Sequence, residues 1–511
     1  MAVTYAIDTL DNFLREELPS NIHESLPEIA PVYKYIQPTS MGVERKGIGR
    51  DWKVIHLYST GLAGLIQNAD PRGASMYNNA TYTQSQVVNA GIDVFPAATA
   101  SPHALSLKRE LTLQMTTGNF NIPVTWLSGD ALSSSQIQQV VRDVKAVGEN
   151  RALNEAQSFF MPSNNTLARI DNYDSTDEAT GNVTFTVASG TGRTSFFRVG
   201  MMVDILDHAS SGSSATPNFG TDVDGSDVKN YSDDGTYIPL IVSDVDYYSG
   251  TVTLAHAGNA DADLGLQAGD LIGDAIEDDD FVVVRGCGTV EAREQRTWGI
   301  EDWMKSSGGI MGATAGGGAQ GLDLDTYSQF KSKVVAVNGP LTDKVMNGYI
   351  GGYLDSFPGA SLDTILTTMG VTLKYLEQPG LNNNRMFYDR QGKALDVRGG
   401  WEDVNYTFNG RTFRWMVSPM CITGTLYGFK LNSGNIKRYV PPKVGGTDSR
   451  VGGEIEFLAP LAGHTNVFKI AHSSSGASQA LLEAPFWQYH MIAPIDVKGV
   501  KLTGLSESTM S

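Results

Sequence analysis

The residues of this 511-residue chain with the means to do chemistry are two glycine-rich runs, one acidic stretch, eight histidines and two cysteines. Gly316 to Gly321 reads GGGAQG and fits G-x-G-x-x-G, the turn that lets a backbone approach a pyrophosphate. That turn works only between a strand and a helix, whereas SSGGIMGATA precedes this one and LDLD follows, so it reads as flexible low-complexity chain. Gly190 to Ser195, GTGRTS, ends like a phosphate loop, but Val187 stands where the first glycine belongs and Arg193 replaces the lysine, so it reads as a turn. Asp222, Asp224, Asp227, Asp233 and Asp234 have the charge to collect a hard cation; Gly225 is misplaced for a calcium loop and no glutamate closes the set, which leaves a solvated acidic loop. The histidines never pair as H-E-x-x-H, since His23-Glu24 runs on into Ser, Leu and Pro, and no G-x-S-x-G elbow offers a serine nucleophile. Cys287 and Cys421 are too few for a disulfide framework or a cysteine-built metal site and are expected reduced in packed interiors. No catalytic, cofactor-binding or metal-ligating residue is assigned, and the expectation is a building block, not an enzyme.

Composition narrows the class further. Lys and Arg total 38 against 56 Asp and Glu, a formal charge of -18, so gripping a nucleic-acid backbone is not the primary design. Charged residues are only 18%, and 55 glycines with 20 prolines favour β and irregular structure. The N-terminus has no basic flank before an apolar run, and no stretch approaches the roughly 18 apolar residues of a membrane span. A reducing cytoplasm is the expected place of synthesis.

The longest element is a helix expected over Ser133 to Met161, with Ile137, Val140, Val141, Val144, Val147, Ala152, Ala156 and Phe159 on one stripe. Serine hydroxyls cap its start, Pro162 stops it, and at 1.5 Å per residue it spans about 40 Å. Gly148 in its middle costs roughly 1 kcal/mol against alanine, so something should pack closely there. A shorter helix is expected over Ile7 to Leu18, ended by Pro19, and then an extended segment to Pro38, either an arm on another surface or a strap over the chain's own core. Trp52 to Tyr58 and Ser106 to Met115 alternate as paired strands around about fifty residues too apolar for a plain linker, which favours ordering by another copy. Asn121 to Leu132 is a strand and turn feeding the long helix. From Asn165 to Gly288, short Val/Thr/Phe runs between Gly, Asp and Ser turns describe a small β-barrel or β-sandwich inserted into the parent chain. Helices follow at Leu341 to Ser356 and Ser361 to Gln378, then strands at RMFYDR, RTFRWMVSP, GTLYGFKL, NIKRYV, GEIEFLAP, NVFKIAH and Leu481 to Ile495. The class is α+β.

This order of elements resembles the major capsid proteins of tailed bacteriophages with the Hong Kong 97-type fold. The resemblance rests on the N-terminal arm, the extended loop, Pro123-Val124-Thr125 within NIPVTWLSGDAL before the long helix, Arg411 to Leu431, and the closing FWQYHMIAPIDVKGVKLTGL. It implies an arm over residues 1–41, an extended loop over 42–118, and a peripheral domain with a spine helix over 119–164. The β-rich insert would be 165–288, with a return to the peripheral domain over 289–324, an axial domain over 325–450, and axial and peripheral strands over 451–511. It further implies self-assembly into hexamers and pentamers of an icosahedral shell in a virion, built in the host bacterial cytoplasm. Portal and scaffolding proteins, and a decoration protein, would be partners, and the packaged DNA would be enclosed without specific recognition. On that reading Arg45, Lys46, Arg50, Lys53 and Arg72 are candidates for pairing with acidic neighbours. Two alternatives share the lack of catalytic residues: an encapsulin-like compartment shell, and a phage tail or baseplate protein.

Overall fold

The computed structural model describes residues 17–45, 52–59, 106–123, 134–161, 166–174, 182–208, 239–256, 276–285, 298–310, 321–356, 361–378, 405–408, 410–432, 434–442, 454–457, 469–471 and 481–508. Residues 17–29 are helical (α1), which corrects the expected stop at Pro19 and the extended segment after it. A proline's fixed φ is already helical, and Leu18, Ile22, Leu26 and Ala30, four apart and all buried, give the segment a core-facing stripe that runs past Pro19; residues 7–16 of the helix expected over Ile7 to Leu18 lie outside the described residues. A 3-10 turn, Pro31–Tyr35, ends the segment against the chain's own core, burying Val32 and Tyr33. Of the two readings of this stretch, the strap is the one the structure takes.

Next come β1 (Pro38–Thr39), β2 (Val43–Arg45), β3 (Trp52–Ser59), β4 (Ser106–Thr112) and β5 (Gln114–Pro123). β3 and β4 pair antiparallel in register from Lys53↔Thr112 to Ser59↔Ser106, as the alternating side chains require. Residues 60–105 between them lie outside the described residues, as do 124–133. The long helix, α2, occupies Ser134–Phe160. Val140, Val144, Ala152, Ala156 and Phe159 are buried as its spacing dictates, whereas Val141 is exposed. At Gly148 an added Cβ would stand 2.7 Å from the Cβ of Asn21, so α1 crosses α2 at the one position where the spine has no side chain.

Six strands follow: β6 (Thr166–Asp174), β7 (Asn182–Val187), β8 (Met202–Leu206), β9 (Leu240–Asp246), β10 (Thr251–His256) and β11 (Phe281–Val284). They close into a barrel in the order β10-β7-β6-β11-β8-β9, so the choice between barrel and sandwich falls to the barrel. It is fastened to the rest of the chain by hydrogen bonds from Gln157 on α2 to the Phe196 carbonyl (2.8 Å) and from Arg193 to the Cys421 carbonyl (2.8 Å). A short helix, α3 (Ile300–Trp303), lays Trp303 edge-on against Phe159 near the end of α2, ring centroids 5.5 Å apart.

A two-stranded ribbon joins β12 (Gly309–Ile310) to β13 (Leu322–Asp323). β14 (Lys333–Gly339) leads into α4, which runs Asp343–Met346, through a π turn at Asn347–Gly351, to Gly352–Ser356. β15 (Thr364–Thr367) then precedes α5 (Met369–Leu376). The helix expected from Ser361 is therefore half strand: Ile365 and Leu366 lie on a fully buried strand between two neighbours, and Thr368 caps the helix only afterwards, accepting from the Val371 amide. Periodicity cannot separate a short buried strand from a helix turn in a run such as TILTTM.

The remaining strands are β16 (Asn405–Phe408), β17 (Arg411–Val417), β18 (Leu426–Phe429), β19 (Ile436–Tyr439), β20 (Ile455–Phe457), β21 (Lys469–Ala471), β22 (Leu481–Pro494) and β23 (Val500–Leu505). One sheet runs β14-β23-β18-β15-β17-β16, with mixed strand directions. The other is built on the 14-residue β22, which pairs with β5 from Leu481↔Pro123 to His490↔Gln114 and also with β19, β20 and β21. RMFYDR lies outside the described residues.

Gly148→Leu is expected to lower stability by about 1–3 kcal/mol through overpacking against α1, read as a drop in urea midpoint with earlier proteolysis of the N-terminal segment. An unchanged midpoint would mean that α1 does not sit on the spine. Val144→Asp, a carboxylate placed in the same buried stripe, is expected to give aggregated or unassembled product.

Candidate functional site

Gly190 to Ser195 is a turn, with Gly190 at φ +80° and a 3-10 segment at Thr194–Phe196. Cys421 is buried and its thiol pKa is pushed up by that burial, which keeps it protonated. Gly316 to Gln320, the acidic residues Asp222 to Asp234, Cys287, Lys46, Arg50 and Arg72 lie outside the described residues. Lys53 pairs with Glu110 across the β3–β4 hairpin (3.2 Å), and the Arg45 guanidinium stands 5.9 Å from the Trp52 ring centroid.

Two polar clusters, neither foreseen from sequence, hold the outlying segments to the body. The first centres on Arg438 of β19, whose side chain is 1% exposed. Its Nε and Nη2 donate to the two carboxylate oxygens of Glu155 on α2 at 2.5 and 2.8 Å. Nη2 and Nη1 also reach Glu454, just before β20, at 2.5 and 3.2 Å. Gln488 of β22 donates to Glu454 at 3.0 Å, and His23 of α1 stands 3.0 Å from the other Glu454 oxygen. Burial alone would raise the Glu454 carboxyl, but Arg438 and His23 outweigh it and hold it well below the usual carboxylate range. Burial would likewise lower the Arg438 guanidinium, and its two carboxylates more than reverse that. The planar fork of arginine is the one side chain able to serve both carboxylates with paired bonds.

The second cluster is at the root of the hairpin. β3 buries Trp52, Val54, His56 and Tyr58 and turns Lys53, Ile55 and Leu57 outward. His56 Nε2 lies 2.9 Å from the Pro494 carbonyl, which can only accept, so this nitrogen carries the proton and Nδ1 accepts from the Tyr439 hydroxyl at 2.9 Å. Burial is the main cause of a His56 pKa lowered to about 4, which keeps the ring neutral. With the Ser59 amide bonded to the Ile495 carbonyl at 2.8 Å, the hairpin is fixed to β19 and β22 along its inner face. Its outer face keeps Ile55 64% and Leu57 41% exposed, and Met115 at the start of β5 is also 41% exposed. Exposed apolar side chains on an anchored strand are suited to contact with another surface.

A signal for both clusters was present in the sequence. Glu155 falls in phase with Ala152, Ala156 and Phe159, so a carboxylate occupies a core position of the spine and demands a cation. His56 alternates with Trp52, Val54 and Tyr58 on the inward face of its strand. What sequence could not give is the partner, because Arg438 is 283 positions away from Glu155.

No family model and no curated protein matches the chain. Among solved structures it is similar to a chain of the cyanophage A-1(L) capsid asymmetric unit, at 10% identity over 80% of this chain and 82% of that one, TM-score 0.35. A chain from Mycobacterium phage Patience matches at 9% identity over 98% of this chain and 89% of that one, TM-score 0.25. The SrpI encapsulin of Synechococcus elongatus PCC 7942 matches over 34% of this chain and 53% of its own, at 11% identity and TM-score 0.18. Among the described residues, no helix is long and apolar enough to cross a membrane.

Arg438→Met is expected to cost about 3–5 kcal/mol by stranding two buried carboxylates, read by chemical denaturation. A loss below 1 kcal/mol would show that the cluster is not closed to water. The pH dependence has a definite sign. Glu454, with its folded pKa depressed, contributes stability that is complete above the unfolded carboxylate value and is lost as pH falls through the folded one. His56, neutral when folded, lets the unfolded chain take up the proton first, so stability falls as pH drops from 6.5 to about 4, by up to about 3 kcal/mol. Melting temperatures from pH 7 to 4 should decline, and His56→Gln should flatten the decline above pH 4. A slope unaffected by that change would contradict the assignment of a buried neutral imidazole.

Proposed function

We propose that this chain is a shell subunit, the major capsid protein of a tailed double-stranded DNA bacteriophage with a Hong Kong 97-like fold. The observation that carries the reading is the β3–β4 hairpin, bolted to the body by His56 while Ile55 and Leu57 face away from it. A strand locked on one face and carrying exposed Ile55 and Leu57 beside a Lys53–Glu110 ion pair on the other is suited to docking against a neighbour. Supporting it are the element order of hairpin, β5 and 27-residue spine, and a closed barrel between residues 166 and 284 that reads as a surface domain inserted into the parent chain. The domain limits set out under Sequence analysis belong to this proposal.

On this reading hexamers and pentamers form as each copy's hairpin crosses its neighbour, and modest contacts sum because losing one subunit breaks several interfaces together. The acidic balance of -18 suits a container for DNA that must not adhere to its wall. Portal and scaffolding partners, and a decoration protein, follow from the same resemblance, as does a place in the virion after assembly in the host cytoplasm.

Negative-stain microscopy of the expressed protein is expected to show round shells. The double variant Ile55→Asp, Leu57→Asp should keep the wild-type circular dichroism and melting curve while giving no shells. A monodisperse monomer from the wild type at high concentration, or a trimeric fibre, would overturn the reading. Shells recovered with protein cargo in place of DNA during infection would assign the chain to an enzyme compartment.

A further inference from the structure

The barrel has one end where acidic side chains and an imidazole converge. β8 and β11 pair antiparallel with Leu206 opposite Phe281, so the next positions outward, Asp207 with His208 on one strand and Asp280 on the other, are brought side by side by the register itself. His208 Nδ1 stands 3.0 Å from Asp280 Oδ1 and 3.7 Å from Asp207 Oδ1, and one donor atom from each residue lies within 4.8 Å of the others. Bonds of about 2.0–2.2 Å to a first-row divalent ion place neighbouring donors roughly 3.0–3.5 Å apart, so this triangle needs only a small closure to hold one.

Burial makes the case stronger than proximity does. The Asp280 side chain is fully buried, while His208 is 16% and Asp207 38% exposed. A sealed carboxylate needs a donor or a cation beside it, and the His208 imidazole, itself a metal-binding group, is placed against Asp280 Oδ1 at 3.0 Å. Asp280 Oδ2 accepts from the Glu277 amide at 2.9 Å, a bond of the kind that orients a ligating carboxylate. The exposed Asp207 leaves an entry path.

We propose that Asp207, His208 and Asp280 form a site for one divalent transition-metal ion that ties β8 to the turn before β11. An imidazole with two carboxylates selects an ion of zinc or manganese character over calcium, which takes oxygen ligands in larger number. The site is independent of the shell reading.

The test is calorimetric titration of Zn2+ into the full-length protein freed of metal, with Ca2+ as the comparison and thermal melting as a second readout. The expected result is one Zn2+ per chain with a raised melting temperature, Ca2+ binding at least about tenfold weaker, and affinity lost by about tenfold or more in His208→Ala and in Asp207→Asn. Asp207 is partly exposed, so its variant retains the fold and guards against a loss that merely reports unfolding. No saturable binding by the wild type would leave His208 and Asp280 as a hydrogen-bonded pair and overturn the proposal. Binding that survives both substitutions, or that Ca2+ matches, would place the ion among the chain's other carboxylates and overturn it equally.

Discussion

One buried cation organises the body of this protein. Arg438 sits where the spine helix, the first helix, β19, β22 and the segment before β20 meet, and it is the positive charge between two buried carboxylates. Attraction at low dielectric offsets the desolvation of such a group only when its donors are satisfied, and here the bonds come as paired forks with Gln488 completing the set. An apolar cluster would tolerate sliding of α1 along α2. Here His23 reaches the Glu454 carboxylate that the fork holds in place, and together with the gap at Gly148 this contact fixes where α1 lies.

That fixed body is what allows the hairpin to present a defined face. β22 is long enough to pair with β5 and then with β19, so the strand that follows the hairpin and the C-terminal strands share one sheet, while β3 and β4 pair with β2 in a sheet of their own. His56 then ties β3 to that sheet through a tyrosine hydroxyl and a carbonyl. A neutral imidazole can make both bonds, donating one and accepting the other, whereas a protonated one would leave Nδ1 and the hydroxyl with a reversed or broken bond. The result is a strand whose inner face is committed to its own chain and whose outer face, with Ile55 and Leu57, is available to another.

How much of this was legible beforehand depended on whether the determinant was local. The spine helix, the β3–β4 pair, β22 and the barrel strands other than β6 were readable from consecutive side chains, whereas TLARIDNYD of β6 gave no clear strand signal. Pro19 misled, since a proline's fixed φ is already helical and the buried stripe of Leu18, Ile22 and Leu26 carries the helix past it. Ile365 and Leu366 misled for the opposite reason: a four-residue strand buried on both faces has no alternation to show. The charge clusters were half visible. Glu155 stood in a core phase and His56 on an inward strand face, but their partners lie hundreds of positions away and nothing local names them.

The central claim is that the faces this frame leaves open are closed by further copies of the chain. Hydroxyl-radical footprinting read residue by residue on free subunits and on assembled particles addresses it most directly. Ile55, Leu57 and Met115 should be modified in the free subunit and protected after assembly, while Val54 and Tyr58 stay protected in both. Equal labelling of Ile55 and Leu57 in the two states would contradict the account.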